Sequence, residues 1–152
     1  MVIKMVSQNI KIAEQTKRIA GVVSHTIIED EHPTLRGYAS VSEKVIGAPV
    51  GNTSGELYII AHECAHVLMN HSGKTFFNEI EAVQWAKNML LEFNRVLPEE
   101  PDVAHMRYFL SMFYRDCLRS TLLEQIRLHL ALTKYLLFRL DYCKYQRQYN
   151  YT

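Results

Sequence analysis

The residues whose types and spacing could do chemistry lie together at His62-Glu63-Cys64-Ala65-His66. The run around them, from Tyr58-Ile59-Ile60-Ala61 to Val67-Leu68-Met69, reads as helix on its own pattern, so histidines four apart share one face. Two imidazoles in that relation can converge on one tetrahedral metal ion at about 2.0–2.1 Å each, and such nitrogen donors suit zinc. Glu63 is one step round the same face. It is badly placed to ligate beside both histidines but can reach a water at the open position. A metal ion there lowers the pKa of that water towards ~7 and polarises a carbonyl, and Glu63 is the expected general base of a peptide hydrolysis. Cys64, between the ligands, reads as a small buried packing residue.

A third protein ligand is needed, and two histidines with one glutamate form a common catalytic set. The next helical stretch, Phe76 to Leu97, offers Glu79, Glu81 and Glu92. Glu81 is the expected ligand, because it stands between Ile80 and Val83 near the buried side, where an unpaired carboxylate would be costly. Glu79, next to Asn78 near the helix start, reads instead as a surface residue favoured by the helix dipole. His71, five residues beyond His66, is expected off the metal-facing side, as a helix-end residue.

The elements that must position these groups follow from periodicity and punctuation. An amphipathic helix over Ile10–Val23 opens the chain. Asp30, His32 and Pro33 mark a loop, and Leu35 to Ile46 alternates as a short hairpin turning at Ser42-Glu43-Lys44. Thr53 or Ser54 caps a helix carrying Leu57 through Asn70, with Glu56 at its positive end. Pro98 and Pro101 stop the Phe76–Leu97 helix. The remainder, Asp102 to about Gln146, is one long helix or two joined near Ser120-Thr121, with Met106, Phe109, Leu110, Phe113 and Leu118 as a core stripe. The expected architecture is α+β and mostly helical, a single domain over residues 1–152.

Bulk properties narrow the function classes. A formal net charge of +1 gives no global field for nucleic acid or an anionic membrane. No apolar run approaches the roughly 20 residues that span a bilayer. Met1 to Val6 lacks the apolar core of a signal peptide, and three cysteines without framework spacing fit a reducing compartment, so a cytoplasmic protein is expected. Tyr142, Tyr145, Tyr149 and Tyr151 among Lys144 and Arg147 could stack on single-stranded nucleic acid, but a frayed, partly docked terminus is the expectation.

The helix bearing His62, Glu63 and His66, followed by Glu81-Ala82-Val83-Gln84-Trp85-Ala86-Lys87-Asn88-Met89-Leu90, resembles the ImmA/IrrE family of compact bacterial and phage metallopeptidases. That family's second motif reads Glu-Ala-Asn-x-aromatic-Ala and ends in apolar residues. Here Val83 stands where asparagine is usual and Lys87-Asn88 interrupts the ending. The resemblance covers about residues 35 to 92. It implies a minimal zincin fold in which a small sheet lends its edge strand to the substrate cleft, with zinc on His62, His66 and Glu81 and with Glu63 catalytic. Zincins often draw an oxyanion stabiliser from a later segment, which makes His105, Arg107, Tyr108 and Tyr114 candidates; Tyr38 on the edge strand could touch substrate. The resemblance also implies a protein substrate, a regulator or repressor, in a phage or mobile-element setting. Two other readings stand beside it: a metal-stabilised binding protein that docks through Asp102–Tyr145, and an antirestriction-type protein that takes DNA on its tyrosine-rich tail.

Overall fold

The structure, a computed structural model, describes the backbone of residues 2–22, 24–26, 37–97 and 99–149. The loop expected at Asp30, His32 and Pro33, and the hairpin's first residues Leu35 and Arg36, lie outside the described residues. The element order is α1 (Val2–Ile19), β1 (Ser24–Thr26), β2 (Tyr38–Ser40), β3 (Val45–Gly47), α2 (Ser54–Leu68), α3 (Phe76–Glu92), α4 (Glu99–Arg119) and α5 (Leu122–Tyr149). This is the expected α+β architecture, dominated by helices.

The hairpin is present as β2 and β3, antiparallel with Tyr38 opposite Gly47. It turns where Lys44, at φ 51°, donates its N–H to the Val41 carbonyl at 3.3 Å. Sequence periodicity misses β1, which adds in parallel on the far side of β3, so among the described residues the sheet order is β1-β3-β2 and β2 is an edge. Three residues are too few to show an alternation. The opening helix begins at Val2, earlier than expected, because Val2, Ile3 and Met5 form exposed turns of helix whose apolar side chains face no core.

Helix α2 runs through the centre and is buried on most of its circumference, Tyr58, Ile60, Ala61, Cys64 and Ala65 being fully covered. Its start is fixed by Thr53, whose hydroxyl accepts the Glu56 N–H at 3.1 Å, a cap worth about 1 kcal/mol. Glu56 returns the favour by accepting the N–H groups of Gly51 and Asn52. Helix α3 packs along α2, and its first turn is pinned twice. Thr75 caps it by accepting from the Asn78 N–H, and the Asp116 carboxylate of α4 accepts the Phe76 N–H at 2.9 Å. A carboxylate at that end also suits the helix dipole. Helix α3 stops at Glu92, short of the expected Leu97, because Asn94 takes a left-handed conformation at φ 53° and the Arg95 N–H closes on the Leu90 carbonyl.

The C-terminal part resolves into two helices that break at Ser120-Thr121, where Glu124 accepts from the Thr121 N–H and hydroxyl. Of the stripe expected in the core, Phe109 and Phe113 are buried, but Leu118 is 88% exposed, since five residues of helix turn it about 140° away from Phe113 while its neighbour Cys117 still packs on the core. The tail is helical to Tyr149 and docked as expected, and Tyr151 lies outside the described residues. Tyr142 is buried and its hydroxyl accepts the Leu97 N–H at 2.9 Å, while Gln146 donates to the Leu97 carbonyl. That burial removes Tyr142 from any surface for stacking bases. Among the described residues no helix is long and apolar enough to cross a membrane.

Candidate metal centre

His62 and His66, one turn apart on α2, put their Nε2 atoms 3.2 Å apart. Two ligands at 2.0–2.1 Å from a tetrahedral ion stand about 3.3 Å from each other, so this spacing is the one a shared ion asks for. The third member is Glu79, not Glu81. Its carboxylate lies 3.3 Å from His62 Nε2 and 3.7 Å from His66 Nε2, and all three donor atoms fall within 4.8 Å of one another. Among the described residues no fourth histidine, cysteine or acid joins them.

The correction has a geometric cause. At about 100° per residue, Glu79 falls in the stripe of Phe76, Val83, Ala86 and Leu90, all buried against α2, whereas Glu81 points about 140° from Phe76. Glu79 is accordingly 5% exposed, and the Glu81 side chain is 60% exposed. Burial pushes the Glu79 carboxyl up. The His62 hydrogen bond and the charge of both imidazoles outweigh that and hold it below the usual carboxylate value. Burial, then the neighbouring His62, lowers His66 to about 4. A lone pair on imidazole nitrogen and an ionised carboxylate are the states a metal ion needs.

Glu63 sits beside this set, almost fully buried. Burial raises its carboxyl to about 7, with His62 working downward and Glu79 upward. Gly37, just ahead of β2, packs so close that a Cβ there would lie 2.7 Å from Glu63 Cγ and 2.9 Å from Oε1. Only glycine leaves that carboxylate its room. Gly37 falls within the hairpin expected over Leu35 to Ile46, and nothing in the sequence signals this role; only the fold brings the two together.

His71 is a neighbour of the site as well as a residue past the helix end. Its Nδ1 lies 2.9 Å from His66 Nδ1 and its Nε2 lies 3.0 Å from Glu81 Oε2. Proton placement along this chain is constrained. Glu81 as carboxylate can only accept, so His71 carries its proton on Nε2 and offers Nδ1 as acceptor. His66 then donates from Nδ1, which leaves its Nε2 lone pair facing His62 and Glu79. Glu81 therefore serves the site through His71, and the two hold His66 in the ligating tautomer. Removing either partner, as in His71→Ala or Glu81→Ala, is expected to weaken zinc affinity about 10–100-fold with unchanged circular dichroism. Competition against a chromophoric chelator measures it; affinities equal to wild type would show that the chain of bonds orients nothing.

The proposed stabilisers separate. His105 of α4 stacks on His62 with ring centroids 6.0 Å apart and meets Tyr58 edge-on at 5.1 Å; burial lowers it to about 4, so the ring is neutral. Its Nδ1, like that of His62 and the hydroxyls of Tyr58 and Tyr135, is buried with no hydrogen-bond partner among the described residues. Tyr108 is 43% exposed and lies in the field of the site, since burial, then the charges of Glu79 and Glu63, raise its phenol. Tyr114 is 65% exposed, packs edge-on against Phe113 and takes no part in the site's hydrogen bonds, and Arg107 is exposed. Cys64 is buried and reduced, its thiol pushed by burial to about 12, which suits the packing role expected of it.

Against known proteins the chain stands apart: no family model, no curated protein and no solved structure matches it.

Proposed function

We propose that this chain is a cytoplasmic zinc-dependent peptidase of the ImmA/IrrE kind that cleaves a protein substrate, a regulator or repressor. The observation that carries the reading is the convergence of His62, His66 and Glu79 with Glu63 alongside. The donor set fits zinc in number, type and spacing, and the lack of a fourth protein donor among the described residues favours a catalytic over a closed structural site. Neither His71 nor Cys64 fills that position: His71 spends Nδ1 on His66, and Cys64 holds a buried thiol.

When bound, the metal supplies a Lewis acid for the scissile carbonyl and for the attacking water. Glu63, held against Gly37, takes the proton of that water and passes it to the leaving amine. His105 beside His62, and Tyr108 near both carboxylates, are the groups placed to donate toward negative charge developing on the carbonyl oxygen. Among the described residues strand β2 is a sheet edge adjoining Gly37, with Tyr38 49% exposed, and an edge strand offers backbone groups to an extended peptide.

Zinc-loaded protein incubated with a diverse pool of quenched fluorescent peptides is expected to hydrolyse members of the pool. Chelation with phenanthroline should abolish this, and added zinc should restore it. Glu63→Gln should keep its zinc while losing roughly 10²–10⁴-fold in rate. A zinc-replete wild type that cleaves nothing in the pool, or a Glu63→Gln variant as fast as wild type, would overturn the reading.

A further inference from the structure

Helix α5 is apolar on two opposite faces. Leu128, Tyr135 and Tyr142, spaced by seven, are buried in the core. On the other side Leu123 (60% exposed), Ile126, Leu130, Leu137 and Leu140 (60%) face outward. Their spacing is three, four, seven, three, and Thr133 occupies the step that would split the seven, so positions 123 to 140 form a heptad seam that is apolar at all its positions but Thr133. A helix against solvent carries polar residues on its outer face, and one that is apolar all round belongs in the interior of something larger.

We propose that this seam is a self-association surface along which two copies of the chain pack α5 against α5. A period of 3.5 residues keeps a stripe facing its neighbour only when that neighbour is another long helix, and the seam runs about 26 Å. The chain itself supplies such a helix, with the same seam, and a two-fold axis makes the patch its own complement. With Leu122 and Leu136 at its flanks, the face presents on the order of 600 Å² of apolar surface per chain. That stands at the top of the range for the largest patch on a monomer and approaches the ~800 Å² per partner of a standard interface. The flanking charges allow it when the helices run parallel: Arg127, Lys134 and Asp141 of one copy then meet Leu122, His129 and Leu136 of the other. An antiparallel register that sets Leu130 against Thr133 instead brings Arg127 to Lys134. The seam lies on the face of α5 turned from the core, so pairing leaves His62, His66 and Glu79 untouched.

Sedimentation equilibrium on the full chain tests the proposal. Wild type is expected at a mass of at least two 17.7 kDa chains at low micromolar concentration. Leu130→Glu with Leu137→Glu should sediment as one chain, with association at least ~100-fold weaker and unchanged helical circular dichroism. Should that variant lose helix content, Leu123→Lys with Leu140→Lys reads the same seam from its ends. A wild type that remains a single chain at about 100 μM overturns the proposal. So does a dimer that survives both variants, or a single chain that instead binds vesicles of anionic lipid through these leucines.

Discussion

Replacing Glu79 by glutamine is expected to strip the chain of stoichiometric zinc, whereas Glu81→Gln is expected to keep one zinc per chain. Glu79 brings the negative charge to the donor set, and its carboxylate reaches both Nε2 atoms at 3.3 and 3.7 Å. Glutamine keeps the shape but loses the charge. Losing a ligand costs more than losing an outer partner, so the affinity should fall roughly a thousandfold or more, against the tens-fold expected at His71 or Glu81. The buried site is kept from collapse by the same substitution, since an amide oxygen can still accept from a ring N–H of His62. Elemental analysis of dialysed protein decides the matter. Zinc retained in Glu79→Gln and lost in Glu81→Gln would return the ligand to the position that sequence reading chose.

That choice shows where the sequence is legible. His62 and His66 needed only the four-residue repeat of a helix, and the fold confirms that they converge. Glu81 was favoured on adjacency to Ile80 and Val83, but neighbours in sequence lie about 100° apart on a helix. Counting from Phe76 around the wheel would have put Glu79 on the buried stripe and Glu81 on the outside. The caps at Thr53 and Thr75 and the break at Ser120-Thr121 are local features, carried by hydroxyls and acids within three residues, and could be read or nearly so. Strand β1, the Gly37 contact with Glu63, and His71 between His66 and Glu81 depend on chain segments brought together by the fold.

Lys87 interrupts an apolar run in the sequence, and in the structure the largest expected stability effect centres on it. Its side chain is 1% exposed and lies over the Tyr142 ring at 4.6 Å, paired with Asp102, itself 2% exposed. Arg139 completes the cluster, its Nη2 at 2.8 Å from Asp102 Oδ2. Asp102→Ala leaves a buried ammonium facing Arg139 with no counter-charge, and breaking a buried pair from one side costs about 3–5 kcal/mol. For a chain of this length that lowers the melting temperature by roughly 10 °C or more. Burial already lowers the Lys87 pKa, with Asp102 acting to raise it. Without Asp102 the folded value falls further below that of the unfolded chain, so the unfolded state binds more protons across the interval between them. Stability then rises with pH through that interval, and the deficit against wild type narrows as the solution becomes alkaline. Thermal melts of both proteins at neutral and alkaline pH measure this. A deficit independent of pH would place the cost in lost packing, and no deficit would mean that water reaches Lys87. Lys87→Met with Asp102→Leu should recover most of the loss, because the seat between α3, α4 and α5 is then filled without a buried ammonium, and Arg139, 26% exposed, turns its guanidinium to water. Asp102 lies one turn before His105 on α4, so the same cluster that docks this helix also sets the His105 ring beside His62. Zinc content should therefore persist in Asp102→Ala at low temperature, while catalysis falls before the global melt as α4 loosens.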